Sequence, residues 1–256
     1  MPPTTPERYA VVSCHVERPL DDRAWAAFSA VQERRPGGFA IAALLRPPDA
    51  AAGELDEDRW LERARAAAQR GLLGHHTHWT SPTHARPTHG DTGARVLREG
   101  AWLRERRLAP SLFCGGGWYS DATVAAACAE LDYVDCTPRP ERPSYLGEDA
   151  AWARLEHPAR IELDGAVELR AVPTTHGLGQ LVRALVRPGA LPARVHAYFH
   201  DTDLLDRRRR IAIVTSLAAL GRRRPAAELT ALVGDAAPVV TWAEIARGEA
   251  AGGIQA

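Results

Sequence analysis

The feature that most constrains this chain is a rhythm in which short apolar runs alternate with longer segments whose apolar residues recur every three or four positions. Tyr9 to Cys14 is an apolar run bounded by Pro6 and by polar His15-Val16-Glu17, and Gly38 to Leu45 is a second of similar length. Both read as buried strands. Between them, Asp21 and Asp22 can cap a helix that carries Trp25, Phe28 and Val31 at three-residue spacing and ends before Pro36-Gly37. The unit then repeats, with a helix at about 55–69, a strand at about 71–78, a helix at about 92–107, a strand at about 110–114, a helix at about 120–131 and a strand at about 133–137. Strands separated by helices cannot pair as hairpins, so the pattern predicts a parallel sheet or barrel.

After Pro138 the rhythm loosens through Arg139-Pro140-Glu141-Arg142-Pro143, and Asp164-Gly165 offers a hairpin turn between two short strands. This reads as an insertion within the same domain. A helix at about 177–187, a strand at about 194–200 and a long helix from Asp203 to about Leu220 resume the alternation, and Val239 to Trp242 supplies a last strand. The 256 residues suffice for one closed or nearly closed α/β domain with a single core.

Charge and leader signals narrow the function. The 32 basic residues, all arginine, balance 32 acidic ones, so no global field draws the protein to nucleic acid or an anionic membrane. Arg207 to Arg210 are consecutive and spread around a helix instead of forming one stripe. Met1 to Arg8 lack the charged-then-apolar pattern of a secretory signal, and no apolar run reaches membrane-spanning length. A cytoplasmic protein with neither a nucleic-acid nor a membrane partner is expected, its oligomeric state left open. Cys14, Cys114, Cys128 and Cys136 form no CxxC pair and are expected as buried thiols.

Polar residues gather just after the predicted strands: His15 and Glu17; His75, His76 and His78; Asp135; His200, Asp201 and Asp203. In an α/β barrel that edge is the active-site face. His76 and His78 are two apart, so in an extended backbone both imidazoles project to one side. With Glu17 as a third ligand they could hold zinc or another divalent metal and leave a position open for water. The alternative is a set of histidines hydrogen-bonded in a polar loop. Gly115-Gly116-Gly117 would let a ligand approach backbone N–H groups, and Trp118 and Tyr119 could stack on a sugar ring or merely close the mouth of the domain. Asp135 or Asp201 could orient an imidazole or cap a turn, and Asp203 reads first as a helix cap.

Four of these segments, in order and spacing, resemble the polysaccharide deacetylase (NodB-homology, carbohydrate esterase) family over about residues 9–248. Cys14-His15-Val16-Glu17 resembles its first motif, Gly74-His75-His76-Thr77 its Gly-x-His-Thr motif, Phe113 to Tyr119 its Arg-x-Pro loop, and Val195 to Asp201 the late strand bearing the acid histidine. Thr241-Trp242-Ala243-Glu244-Ile245 is similar to the family's usual ending. The resemblance implies a single irregular (β/α) barrel of seven strands between a disordered 1–8 and a flexible 249–256. It also implies a metal-dependent deacetylase or amide hydrolase acting on an N-acylated sugar or a small sugar-containing metabolite. In that reading Glu17, His76 and His78 hold the metal, His15 is the base, His200 the acid, Asp135 or Asp201 an orienting carboxylate, and Gly116, Trp118 and Tyr119 meet the substrate. The sequence departs from the pattern at His15 in place of an Asp base, Thr80 in place of the second metal histidine, and Cys114 in place of an arginine. A catalytically silent carbohydrate binder is the alternative. The His76-Thr77-His78 likeness to amidohydrolase barrels ranks below both, because there the pair sits on the first strand.

Overall fold

Residues Tyr9 to Val16 are buried without exception, as a strand covered on both faces must be. They form β1 of a computed structural model that describes residues 7–88, 90–164, 167–187 and 189–247. The further strands are β2 (Ala42–Leu45), β3 (Leu73–Thr77), β4 (Leu112–Gly115), β5 (Val134–Asp135), β6 (Trp152–Ala153), β7 (Ala159–Glu162), β8 (Glu168–Ala171), β9 (His176–Gly177), β10 (Arg194–His200), β11 (Val239–Thr241) and β12 (Ala246–Arg247). The helices are α1 (Asp22–Arg34), α2 (Glu57–Ala68), α3 (Thr92–Glu105), α4 (Ala122–Glu130), α5 (Leu178–Val186), α6 (Arg207–Gly221) and α7 (Trp242–Ile245).

The sheet runs β11-β7-β8-β5-β4-β3-β2-β1-β10-β9. Every neighbouring pair in it is parallel except β7 with β8. The fold is therefore a mostly parallel α/β sheet. It has ten strands where seven were expected, because short strands of the insertion and the C-terminal segment join the row. β7 and β8 pair antiparallel as a hairpin would; the expected turn residue Gly165 lies outside the described residues, as do residues 1–6 and 248–256, where most of the two disordered or flexible ends was expected. Among the described residues no helix is long and apolar enough to cross a membrane.

Helix starts follow from local chemistry. Asp21, Asp56, Asp91, Asp121 and Asp206 each precede a helix and accept a first-turn backbone N–H, a contact worth about 1 kcal/mol apiece. The long helix expected from Asp203 begins later. Residues Asp201–Leu205 form a 3₁₀ turn, and α6 starts at Arg207 on its Asp206 cap. The Asp203 carboxylate is occupied by the His200 N–H at 3.0 Å, so it serves the turn and not the helix.

Strand alternation divides the core. Val12, Cys14, Phe28, Leu45, Trp60 and Leu217 pack between the sheet and α1, α2 and α6. Phe113, Val124, Cys128 and Tyr133 fill the space under α3 and α4. On the opposite side of the strands, Val11, Leu44, Leu112, Cys114, Val134 and Cys136 form an inner layer. All four cysteines are buried and unpaired.

Candidate metal centre

Because β1, β3 and β10 are parallel to their neighbours, their C-terminal ends lie along one edge, and the side chains there are set by register. His15 is level with Leu44 on one side and His200 on the other, and His76 is level with Cys114; all face the inner layer. His75, one residue earlier, faces outward. There its Nε2 meets Glu99 at 2.8 Å, Thr77 Oγ1 and Arg95 hold the same carboxylate, and its ring packs on Phe113 and Tyr133. His75 is a helix-to-strand fastener.

The structure brings Glu17, His76, His78 and His200 together. His76 Nδ1 donates to the Cys114 carbonyl at 2.7 Å and His78 Nδ1 to the Pro82 carbonyl at 2.9 Å. A carbonyl can only accept, so each imidazole carries a hydrogen on Nδ1 and turns its Nε2 toward the cluster. Those two Nε2 atoms lie 3.2 Å apart, with Glu17 Oε1 at 4.0 Å from one and 3.4 Å from the other. Three potential ligand atoms thus converge. Burial holds the His76 imidazole down to about 3, which leaves its Nε2 unprotonated and open to a cation. Burial alone would raise the Glu17 carboxyl. The hydrogen bond from His78 and the nearby imidazoles outweigh burial and bring the carboxyl down to about 2, so it is anionic. One carboxylate and two imidazoles on carbonyl-fixed rings match the donor set and the supporting contacts of a divalent metal site.

His200 closes the group, with Nε2 at 3.5 Å from Glu17 Oε1 and Nδ1 at 3.5 Å from Asp203 Oδ2. Burial opposes its protonation, but the contact to Asp203 and the Glu17 charge prevail and raise its pKa. Asp203, read from sequence as a cap, both caps and orients. Asp201, expected to orient an imidazole, does not: its carboxylate accepts the backbone N–H groups of Glu17 (3.2 Å), Arg18 (2.9 Å) and Thr202 (2.8 Å). It fixes the turn that aims Glu17. Burial pushes Asp201 up to about 6.

His15 lies against His76, His200 and Tyr198, with ring centroids 4.5, 5.2 and 5.1 Å away. Burial holds its basicity well below the usual range, so it is neutral and a weaker base than an exposed imidazole.

Beside the cluster opens a cleft of about 440 Å³ lined by His15, Glu17, His76, Trp118, Tyr145, Tyr198 and His200. Of the three residues expected to meet substrate, Trp118 alone lines it. Gly117 and Trp118 both take left-handed φ, +60°, which turns the next residue away. Tyr119 therefore packs on Trp79 and donates to Asp121. Gly116 lies beneath the cleft, where a Cβ would fall 2.6 Å from the Thr77 carbonyl oxygen. Asp135 is also misplaced by sequence reasoning. It is level with Phe113 on the helix side of the sheet, where Oδ1 accepts the Thr137 N–H at 2.8 Å and Oδ2 has no partner. Sequence reading missed Tyr198, two residues before His200 on the same face, and Tyr145, an exposed aromatic in the insertion whose only signal was its isolation among prolines and polar residues.

No protein-family model and no curated protein matches the chain. Among solved structures, 4-alpha-glucanotransferase from Thermococcus litoralis is similar over 92% of this chain at 11% identity and a TM-score of 0.47. The chain spans 37% of that protein's length.

Proposed function

We propose that this chain is a divalent-metal hydrolase of amide bonds, a deacetylase acting on an N-acylated sugar or a small sugar-containing metabolite in the cytoplasm. The observation that carries the reading is the convergence of Glu17 Oε1, His76 Nε2 and His78 Nε2, ligand atoms of one carboxylate and two imidazoles within 4.8 Å of one another. Zinc is the ion that best suits two imidazoles and one carboxylate. Bound there, a divalent cation would supply a Lewis acid and an acidified water.

The residues of the chain supply the rest. His200, held through Nδ1 by Asp203 and made more basic by the surrounding carboxylates, is placed to give a proton to a departing amine. His15, neutral and facing the cleft, accepts a proton and releases it readily. Trp118, Tyr198 and Tyr145 line the cleft and offer apolar faces to a sugar ring. We also read the sheet as a closed, irregular barrel of seven principal strands. Residues 172–175 are hydrogen-bonded to both β5 and β10, Val172 N–H to the Asp135 carbonyl and Thr175 N–H to the His196 carbonyl. A silent carbohydrate binder is the second reading, favoured by the depressed basicity of His15 and by Cys114 where the family's arginine would stand.

Elemental analysis of the purified chain separates the two, together with acetate release from N-acetylated sugar oligomers. The hydrolase reading expects about one divalent metal per chain, lost in Glu17→Gln and in His76→Ala. A wild-type chain that takes up no metal from a supplemented medium overturns it.

A further inference from the structure

His76 stands where two sets of ligand atoms meet. Besides the set with Glu17 and His78, a ring nitrogen of His15, a ring nitrogen of His76 and Sγ of Cys114 lie within 4.8 Å of one another, in three buried residues. His15 is 3% exposed, and its Nε2 has no hydrogen-bond partner. A polar atom left unpaired at that depth costs about 1–3 kcal/mol, and no structural contact explains it. Cys114 Sγ makes a 3.8 Å contact to the Gly115 carbonyl and meets the Thr137 side chain, neither of them an ionic partner. The inner set contains no carboxylate: it offers two imidazole nitrogens and one sulfur, where the outer set offers two nitrogens and one oxygen. Sulfur in place of oxygen shifts preference toward soft cations.

We propose that His15, His76 and Cys114 form a second, deeper cation position that takes a thiophilic divalent metal, and that the inner and outer positions compete for the one uncommitted nitrogen of His76. Its Nδ1 is engaged by the Cys114 carbonyl, so Nε2 can serve a single ion, and occupation of one position empties the other. On binding, the Cys114 thiol releases its proton to bulk water as the sulfur–metal bond forms, and the ion loses a coordinated water. The inner position shares His76 with the centre proposed above and none of its other ligands, so each can fail without the other.

Cadmium is the probe. Added to the metal-free full-length protein, Cd²⁺ is expected to raise a sulfur-to-cadmium charge-transfer absorption at one equivalent, and X-ray absorption of that complex should show a single sulfur among nitrogen neighbours. Cys114→Ser should abolish the absorption and weaken cadmium binding by about 100-fold or more, the upper end of what losing even a supporting contact costs a metal site, while zinc affinity is unchanged. Glu17→Gln should do the reverse. Zinc preloaded on the wild type should be displaced by cadmium. A cadmium shell of nitrogen and oxygen alone in the wild type overturns the proposal, and this measurement stands even if Cys114→Ser fails to fold. So does an undiminished absorption in a folded Cys114→Ser. If instead Glu17→Gln leaves zinc affinity intact while the cadmium–sulfur signal is present, the outer centre is refuted and the inner one stands.

Discussion

Asp135 provides a quantitative test of how this core treats charge. It is fully buried, Oδ1 accepts one backbone N–H from Thr137, and Oδ2 meets no donor; burial pushes its carboxyl up from 3.8 to about 6. Below pH about 4 the folded and unfolded chains both hold the proton. Between about 4 and 6 the unfolded chain has lost it and the folded chain retains it, so folding stability falls as pH rises, and above about 6 the loss is complete. At about 1.4 kcal/mol per tenfold change in proton affinity, the interval is worth about 3 kcal/mol, of which about 2 kcal/mol falls between pH 4.5 and 8. Asp135→Asn keeps the oxygen that Thr137 needs and removes the ionisation. Urea unfolding of wild type and variant should therefore show the variant gaining about 2 kcal/mol relative to wild type from pH 4.5 to 8, offset by a pH-independent cost of about 1–3 kcal/mol for an amide N–H₂ with no acceptor. A stability difference that stays flat across that range would refute the reasoning.

His200→Ala should lower kcat for amide hydrolysis about 100-fold or more with metal content intact. Asp203→Asn should lower kcat less and move the alkaline limb of the kcat profile to lower pH, since the contact that raises the His200 pKa is weakened. Gly221→Ala places a Cβ 2.2 Å from the Gly37 carbonyl oxygen. The helix-propensity gain of about 1 kcal/mol is outweighed by backbone overlap costing about 3 kcal/mol, so Tm should fall, and an unchanged or higher Tm would contradict the packing. Tyr145 is 68% exposed yet lines the cleft. Tyr145→Ala should weaken binding of an N-acetylated oligosaccharide by about 1 kcal/mol and leave Tm within about 1 °C; equal affinity in calorimetric titration would remove it from the binding surface.

The alternation of apolar runs and capped helices was legible because it is local. Asp21, read from sequence as a cap, starts α1 by a chemistry confined to one turn, and Asp56, Asp91 and Asp121 do the same for α2 to α4. The start of α6 was misread for the same reason. Asp203 and Asp206 are both competent caps, and the choice was made by the His200 N–H and imidazole three residues back, which engage Asp203 and leave Asp206 to start α6. The number of strands was not legible either, since strands as short as β6 and β9 have no periodicity of their own and exist because a partner lies alongside.

The candidate site shows where period-two reasoning works and where it stops. In β3 the strand is long enough for alternation to send His76 inward and His75 outward, so adjacent histidines acquire unrelated tasks: one meets Glu17, the other fastens Glu99. In β5 only Val134 and Asp135 are in strand, and which of them faces inward is settled by register with Phe113, a contact remote in sequence. Trp118 and Tyr119 were separated by a backbone choice that the run of three glycines leaves open, the left-handed φ at Gly117 and Trp118. Asp201 and Glu17, 184 positions apart, are joined by hydrogen bonds whose acceptor is a side chain and whose donors are backbone, a pairing with no sequence signature. That His76 and His78 share one side thus follows from strand alternation, whereas the aim of Glu17 depends on a buried carboxylate that only the folded edge of β1 and β10 brings within reach.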